Sequence, residues 1–250
     1  MSHIIQSLWI GEKLTKMEQL SIKSFIDNGH EYHLYTYDDV KGIPEGTIVK
    51  DGNEILDKSE IYYYKNGSVS AFSNLFRFTL LFKKGGYWAD TDLVCIKPFK
   101  LEQDFVISSE PLPDYSDLHI NAGLLKFPKG SKEAMEGVIY QRQIKDDILS
   151  GKIEWSGGPL CVRKIVEKYK LEKYVLPWRA ICNSSYADMP SILNPDFKPH
   201  PNVISKIKEI PDEMICIHLW NELWRRNKFD KNASYHPDSI LEHLKKKHNL

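Results

Sequence analysis

The sequence predicts an α/β protein with a mainly parallel central sheet flanked by helices, and three observations predict it. Short apolar runs of strand length alternate with stretches whose apolar residues recur at helical spacing. Glycines stand where those helical stretches should stop. The first strand–helix–strand succession is compact, as a right-handed parallel crossover requires.

Taken in order, "HIIQSLWIG" (3–11) reads as a short buried strand stopped by Gly11, and "EQLSIKSFIDNG" (18–29) as a helix capped by Gly29. "EYHLYTYDD" (31–39) is a second strand with alternating aromatics, after which residues 40–70 read as a loop or small subdomain. "SVSAFSNLFRFTLLFKKGG" (68–86) is a strongly amphipathic helix ended by Gly85 and Gly86, and "YWADTDLVCIKPF" (87–99) a third strand closed by Pro98. Further strands are expected at "DFVISSE", "INAGLLKF" and "MICIHLW", and helices near 131–149 and 159–168. Residues 183–213 carry Pro190, Pro195, Pro199, Pro201 and Pro211, which exclude regular helix and suggest an excursion over the surface. No internal repeat or clear boundary divides the chain, so residues 1–250 are read as one domain.

Composition narrows the function. With 34 basic and 34 acidic residues the formal charge is zero, which disfavours a nucleic-acid partner held by bulk electrostatics. Cys95, Cys161, Cys182 and Cys216 form no C-x-x-C pair, so reduced thiols are expected rather than a zinc knuckle or disulfide framework. The start of the chain lacks the pattern of a secretory leader and no stretch approaches membrane-span length, so a cytoplasmic protein is expected. The basic terminal segment "ILEHLKKKHNL" raises a peripheral contact with anionic lipid at the inner face of the membrane, beside the plainer reading of a solvated helix.

In an open parallel sheet, ligands bind beyond the carboxyl ends of the strands. Here those ends hold the chemistry. The first strand finishes in Ser7 and Trp9, the second in Tyr37, and the third in "GGYWADTD", where strand alternation would turn Asp90 and Asp92 to one face. Two carboxylates in an apolar strand pay a desolvation cost that a divalent cation removes. Mg²⁺ or Mn²⁺ needs few protein oxygens when phosphate and water complete its shell. Ser73, Asn74 and Arg77 share a helix that leads toward the aspartates, and the planar fork of Arg77 suits carboxylate, sugar or phosphate. "IHLWNELW" (217–224) supplies His218, an imidazole suited to completing a carboxylate metal site, with Trp220 and Trp224 as candidate covers for a nucleotide. Backbone amides in "WSGGPLC" (155–161), around Gly158, are placed to receive phosphate or sugar oxygens, and Asn121 is grouped with the donor-binding residues.

Read together, Ser73-Asn74-x-x-Arg77, the apolar helix, Gly85-Gly86-x-Trp88-x-Asp90-x-Asp92 and Lys97-Pro98-Phe99 resemble the retaining glycosyltransferases with a DXD sugar-binding region. That group includes bacterial capsule and lipopolysaccharide enzymes and α-1,4-galactosyltransferases. The likeness extends from "LWIG" and "LYTYDD" through "DGNEIL" to "HLWNELW". It implies a GT-A-like nucleotide-sugar-binding fold, a UDP-sugar donor, a glycan or lipid-linked glycan acceptor, and Mn²⁺ or Mg²⁺. By that resemblance Trp9 stacks on uracil, and Asp90 reaches ribose, sugar and metal. Asp92 is the direct metal ligand, Arg77 contacts donor sugar and phosphate, and His218 closes the metal shell. Asn74 departs from the aspartate of the family pattern, exchanging an acceptor-only group for an amide. A metal-dependent sugar-nucleotide hydrolase and a degenerate, noncatalytic carbohydrate-binding protein are the competing readings. Asp92→Ala is expected to abolish turnover and leave the fold intact.

Overall fold

In the computed structural model, which describes residues 3–154 and 157–250, the predicted α/β class holds: helices flank both faces of a mainly parallel sheet. The chain runs β1 (Ile4–Leu8), α1 (Lys16–Asp27), β2 (Glu31–Thr36), β3 (Ile48–Asp51), α2 (Ser70–Lys84), β4 (Gly86–Ala89) and β5 (Leu93–Cys95). It continues through β6 (Val106–Pro111), β7 (Leu118–Phe127), α3 (Lys132–Gln143), α4 (Lys145–Ser150), α5 (Gly157–Tyr169), β8 (Cys216–His218), α6 (Asn221–Asn227) and α7 (Ile240–Lys247). Six strands form the main sheet in the order β3-β2-β1-β4-β7-β6; β3, β2, β1 and β4 are parallel, and β7 alone runs antiparallel to its neighbours β4 and β6. A separate two-stranded antiparallel ladder joins β5 to β8.

Strand alternation divides the apolar residues between two cores. Ile5, Leu34, Tyr87 and Leu124 face a layer containing α1, β5, β8 and α7, whereas Leu8, Tyr35, Trp88 and Leu125 face α2 and α5. At the start of α1 the Glu18 carboxylate accepts from the Thr15 backbone at 2.8 Å, the reciprocal arm of a capping box. At the other end of the site-bearing segment, Gly85 has φ 70° and a Cβ there would stand 2.6 Å from the Lys129 backbone nitrogen. Only glycine fits that reversal from α2 into β4.

Four sequence expectations change. "YWADTDLVC" is not one strand: β4 ends at Ala89, a turn closed by Leu93 N–H to the Asp90 carbonyl (3.1 Å) follows, and β5 belongs to the other sheet. Residues 40–70 contribute the edge strand β3, whose Ile48 and Val49 are exposed and therefore show no alternation. The proline-rich segment contains no α-helix, as expected, but it is no surface excursion, because Asn183, Ser184, Ser185, Met189, Ile192 and Val203 are buried. Prolines forbid a ladder without forbidding burial, provided side chains take over the pairing; Asn183 does so by donating to the Ile204 carbonyl and the Ser191 hydroxyl. The fourth change concerns the membrane contact. Ile240, Leu241 and Leu244 of α7 are buried in the core, Lys245 donates to the Ala233 carbonyl and Glu242, and Lys247 donates to the Ile96 carbonyl. The helix has no apolar face left for a lipid surface. No described helix is long and apolar enough to cross a membrane, and all four cysteines are free and buried.

Candidate functional site

A cavity of about 620 Å³ opens where the carboxyl ends of β1 and β4 meet the β5–β8 ladder and the start of α5. It brings together most of the predicted residues: Trp9, Ser73, Asn74, Arg77, Asp90, Asp92, Asn121, Gly158, His218 and Trp220 all line it. Three do not reach it. The Ser7 side chain is fully buried and bonded to the Tyr32 hydroxyl (2.7 Å) and the Ala89 carbonyl. Tyr37 leans on Phe72 and Phe76 and donates to the Leu56 carbonyl. Trp224 is fully buried, its indole N–H spent on the Leu219 carbonyl at 2.6 Å. Proximity to a strand end or to a tryptophan-rich motif misled in each case, because the side chain points the other way. Of "WSGGPLC", Trp155 and Ser156 lie outside the described residues.

The two aspartates sit on different supports. Asp90 follows β4, and its backbone N–H bonds the Gly123 carbonyl of β7. Its Oδ1 accepts from Arg77 Nη2 at 2.6 Å and from the Trp88 indole at 2.7 Å, while the Arg77 guanidinium lies 5.0 Å over the Trp88 ring. Burial pushes the Asp90 carboxyl above the usual range, Arg77 opposes that, and the neighbouring Asp92 charge adds to it. Asp92 opens β5. One of its oxygens accepts from the Asn221 backbone N–H at 2.8 Å and lies 3.4 Å from His218 Nε2. For Asp92 burial also works upward, but the His218 ring and the Asn221 amide outweigh it and hold the carboxyl low. Burial alone would lower His218; the charges of Asp92, Glu110 and Asp90 reverse that and raise it.

Local backbone geometry explains how β8 delivers these groups. Leu93 pairs with His218 and the Leu219 N–H bonds the Asp92 carbonyl, so the ladder fixes imidazole beside carboxylate. Trp220 then adopts φ 57°, a left-handed conformation that costs a non-glycine residue about 1–2 kcal/mol. That turn starts α6 with Asn221 aimed at Asp92, and it lays the Trp220 ring 4.0 Å from the His218 ring. On the opposite wall, a Cβ on Gly158 would stand 2.5 Å from Asn74 Oδ1 and 3.4 Å from Arg77 Nη1. The first turn of α5 therefore lies directly on Asn74 and Arg77.

Six lining residues carry a buried polar atom with no partner in the protein: Trp9 Nε1, the Tyr64 hydroxyl, Arg77 Nε, Asp92 Oδ1, His218 Nδ1 and Trp220 Nε1. Each such atom costs about 1–3 kcal/mol if left unpaired. Their convergence on one cavity marks a site built for a polar ligand.

Residues 15–113 match the family described as "Glycosyltransferase sugar-binding region containing DXD motif". The chain carries a DXD sugar-binding region, and with it a glycosyltransferase-like function. Asn74, Arg77, Asp90 and Asp92 lie inside the matched segment, whereas Asn121, Gly158, His218 and Trp220 lie beyond it and join the sugar-binding region only through the fold. Among solved structures, the PaToxG glycosyltransferase is similar at TM-score 0.50 and 13% identity, over 67% of this chain and 69% of that one. At that identity the likeness is one of fold. The glycosyltransferase GlyE of Streptococcus pneumoniae TIGR4 aligns over 92% of this chain and 61% of its own, at TM-score 0.47 and 14% identity, too loosely to bear on function. No curated protein matches the sequence significantly.

The sugar-binding region also contains a residue that sequence reasoning passed over. Glu110, at the end of β6, lines the cavity and accepts a hydrogen bond from Asn121 Nδ2; Asn121 Oδ1 in turn accepts from the Gly123 N–H at 2.5 Å. Burial pushes the Glu110 carboxyl up, opposed by the Asn121 bond and the His218 charge. The available signal was the lone carboxylate closing "FVISSE", a strand whose partner in the sheet is "INAGLLKF".

Proposed function

We propose that the cavity binds a UDP-sugar together with a divalent cation and transfers the hexose, with retention at the anomeric carbon, to a hydroxyl of a glycan acceptor. The observation that carries this reading is the set of six unpartnered polar atoms on residues that line the same cavity as the DXD pair. The matched sugar-binding region supports it.

Among the described residues no three His, Cys, Asp or Glu side chains stand ready to hold a metal by themselves. A Mg²⁺ or Mn²⁺ ion that draws part of its shell from diphosphate oxygens needs fewer, and the unpartnered Asp92 Oδ1, the Asp90 carboxylate and the unpartnered His218 Nδ1 suit it. Asp90 and Asp92, with His218 as the sequence resemblance implies, are the proposed ligands, and they would hold the ion only together with diphosphate oxygens. When bound, the ion would neutralise charge gathering on the departing diphosphate.

The chain's own residues do the rest. Trp9 offers an aromatic face for the uracil, with room left by Gly11, where a Cβ would come within 3.3 Å of the indole nitrogen. Arg77 holds Asp90 with one arm and keeps Nε for sugar or phosphate oxygens. Ser73, Asn74 and the Gly158 turn line the donor side, and Trp220 covers it. Asn74 keeps an acceptor oxygen at the place of the pattern's carboxylate. A same-face substitution, in which the leaving phosphate takes the acceptor proton, accounts for retention without assigning a nucleophile. Synthesis of surface polysaccharide or lipopolysaccharide is the proposed setting, on the strength of the sequence resemblance.

Incubation with a panel of UDP-sugars, Mn²⁺ and glycan acceptors, scored by product mass and by NMR of the new linkage, tests the proposal. An α-linked product from an α-linked donor is expected; a β-linked product rejects retention. Free sugar released at equal rate without acceptor points to a hydrolase instead, and UDP binding without turnover on any pair points to a noncatalytic binder.

A further inference from the structure

The β6–β7 hairpin and the buried proline-rich segment meet beside the cavity mouth. Near the hairpin tip Tyr115 is held at φ 59°, a conformation side-chain-bearing residues avoid. Its hydroxyl donates to Asp188 Oδ2 at 2.7 Å and accepts from the Ser185 N–H at 3.0 Å, and its ring stacks on His200 at 4.4 Å. The Ser185 hydroxyl also donates to Asp188, at 3.1 Å. These contacts fasten the short turn Tyr186–Ile192 to the hairpin.

Within that fastened turn, the Tyr186 ring lines the cavity yet remains 45% exposed. Exposure alone would be ordinary; what sets Tyr186 apart is that its exposed ring lines the cavity. Glu110, on the same hairpin, also lines the cavity, and the Asn121 bond fixes its carboxylate. An aromatic face carried on a fastened turn and an oriented carboxylate opening onto one cavity match the two sides of a pyranose ring, its C–H face and its hydroxyl edge. A carboxylate there would repel an acidic sugar.

We infer that Tyr186 and Glu110 form the acceptor subsite and that it takes a neutral sugar residue, with the Tyr186 ring against the C–H face and Glu110 accepting from the hydroxyls. The inference rests on the donor reading above and adds the acceptor's chemical class.

The test is saturation-transfer NMR on the whole chain loaded with UDP and Mn²⁺, with methyl β-glucopyranoside, methyl β-galactopyranoside and methyl β-glucuronide as probes. UDP affinity is measured in parallel by calorimetry. At least one neutral glycoside should show enhancement on its ring C–H protons, with affinity about fivefold weaker in Tyr186→Ala and retained in Tyr186→Phe. The glucuronide should bind less well than the glucoside, and Glu110→Gln should narrow that gap. UDP affinity should be unchanged in both Tyr186 variants. Neutral-sugar binding unmoved by Tyr186→Ala, no neutral-sugar signal, or glucuronide binding that equals the glucoside overturns the acceptor assignment alone. Failure of the unaltered protein to bind UDP overturns the donor reading and this inference with it.

Discussion

The six-stranded sheet and the β5–β8 ladder hold the two halves of one motif in opposite ways. On the sheet side, Asp90 is clamped by Arg77 and the Trp88 indole, both drawn from the α2–β4 unit, and its carboxyl is pushed up by burial. On the ladder side, Asp92 is paired with His218 and the Asn221 amide, which reach it from far along the sequence, and its carboxyl is held low against burial. Like charges two residues apart are tolerated because each has its own counter-group on its own scaffold. The difference teaches a division of labour. The sheet supplies a carboxylate clamped through one oxygen, Oδ1, and the ladder supplies one whose Oδ1 is buried and unpartnered.

The largest effect should come from breaking the sheet side. Arg77→Ala leaves the Asp90 carboxylate without its cation, and a loss of about 3–5 kcal/mol of stability is expected in denaturant unfolding, together with loss of turnover. Arg77→Lys should keep part of the stability and little of the activity, because an ammonium cannot hold Asp90 and present a second planar donor at once. If Arg77→Ala unfolds like the unaltered protein, the clamp is not what holds Asp90.

Next in size is the ladder side. The sequence suggests that Asp92→Ala removes a ligand and leaves the fold intact, yet the structure gives Asp92 a structural duty at the start of α6. Asp92→Ala should therefore cost about 1–3 kcal/mol as well as turnover, since it orphans the Asn221 N–H and His218. Asp92→Asn keeps an acceptor for Asn221, so most of that stability should return while turnover stays down about 10²-fold or more. Equal unfolding midpoints for the two variants would contradict the dual role.

A smaller effect sharpens where the sheet side ends. Gly158→Ala drives a methyl group into Asn74 Oδ1, 2.5 Å away, and the helix start must shift by some tenths of an ångström. A cost of about 1–3 kcal/mol is expected, with weaker donor binding in calorimetry. Asn74→Ala in the same background should relieve the clash and restore stability without restoring affinity.

The smallest effect lies far from both carboxylates. Asp27 feels burial upward, but hydrogen bonds from His248 and Lys23 outweigh it, so its carboxyl titrates below the usual value. A carboxyl with a depressed folded pKa stabilises above its unfolded pKa, near 4, and loses that contribution as pH falls through the folded value. Asp27→Asn should then be slightly less stable than the unaltered protein at pH 7 and indistinguishable near pH 2, as thermal unfolding at the two pH values would show.

Legibility in the sequence followed the physics of each element. Helix α2 could be read from its long apolar periodicity and its closing glycines, and with it the placement of Asn74 and Arg77. Strand β3 could not, because an edge strand with exposed Ile48 and Val49 has no alternation to see. The D-x-D spacing of Asp90 and Asp92 is visible in the sequence, but not that the two stand on different supports. An uninterrupted apolar run hides a turn whose bond, Leu93 to Asp90, lies wholly in the backbone. Glu110 and Tyr186 reach the cavity through tertiary folding of a hairpin against an irregular segment, and no local pattern announces that meeting. Ser7 and Tyr37 show the converse, since strand ends are visible but side-chain direction there is not, and Trp224 turns its ring into the core from within α6.

Calorimetry of UDP binding with and without Mn²⁺, on the unaltered protein and on Asp92→Asn, tests the central claim most directly. Nucleotide binding that requires the metal and disappears in Asp92→Asn is the predicted result. Binding that is equally tight without metal, or that survives the substitution unchanged, contradicts the account.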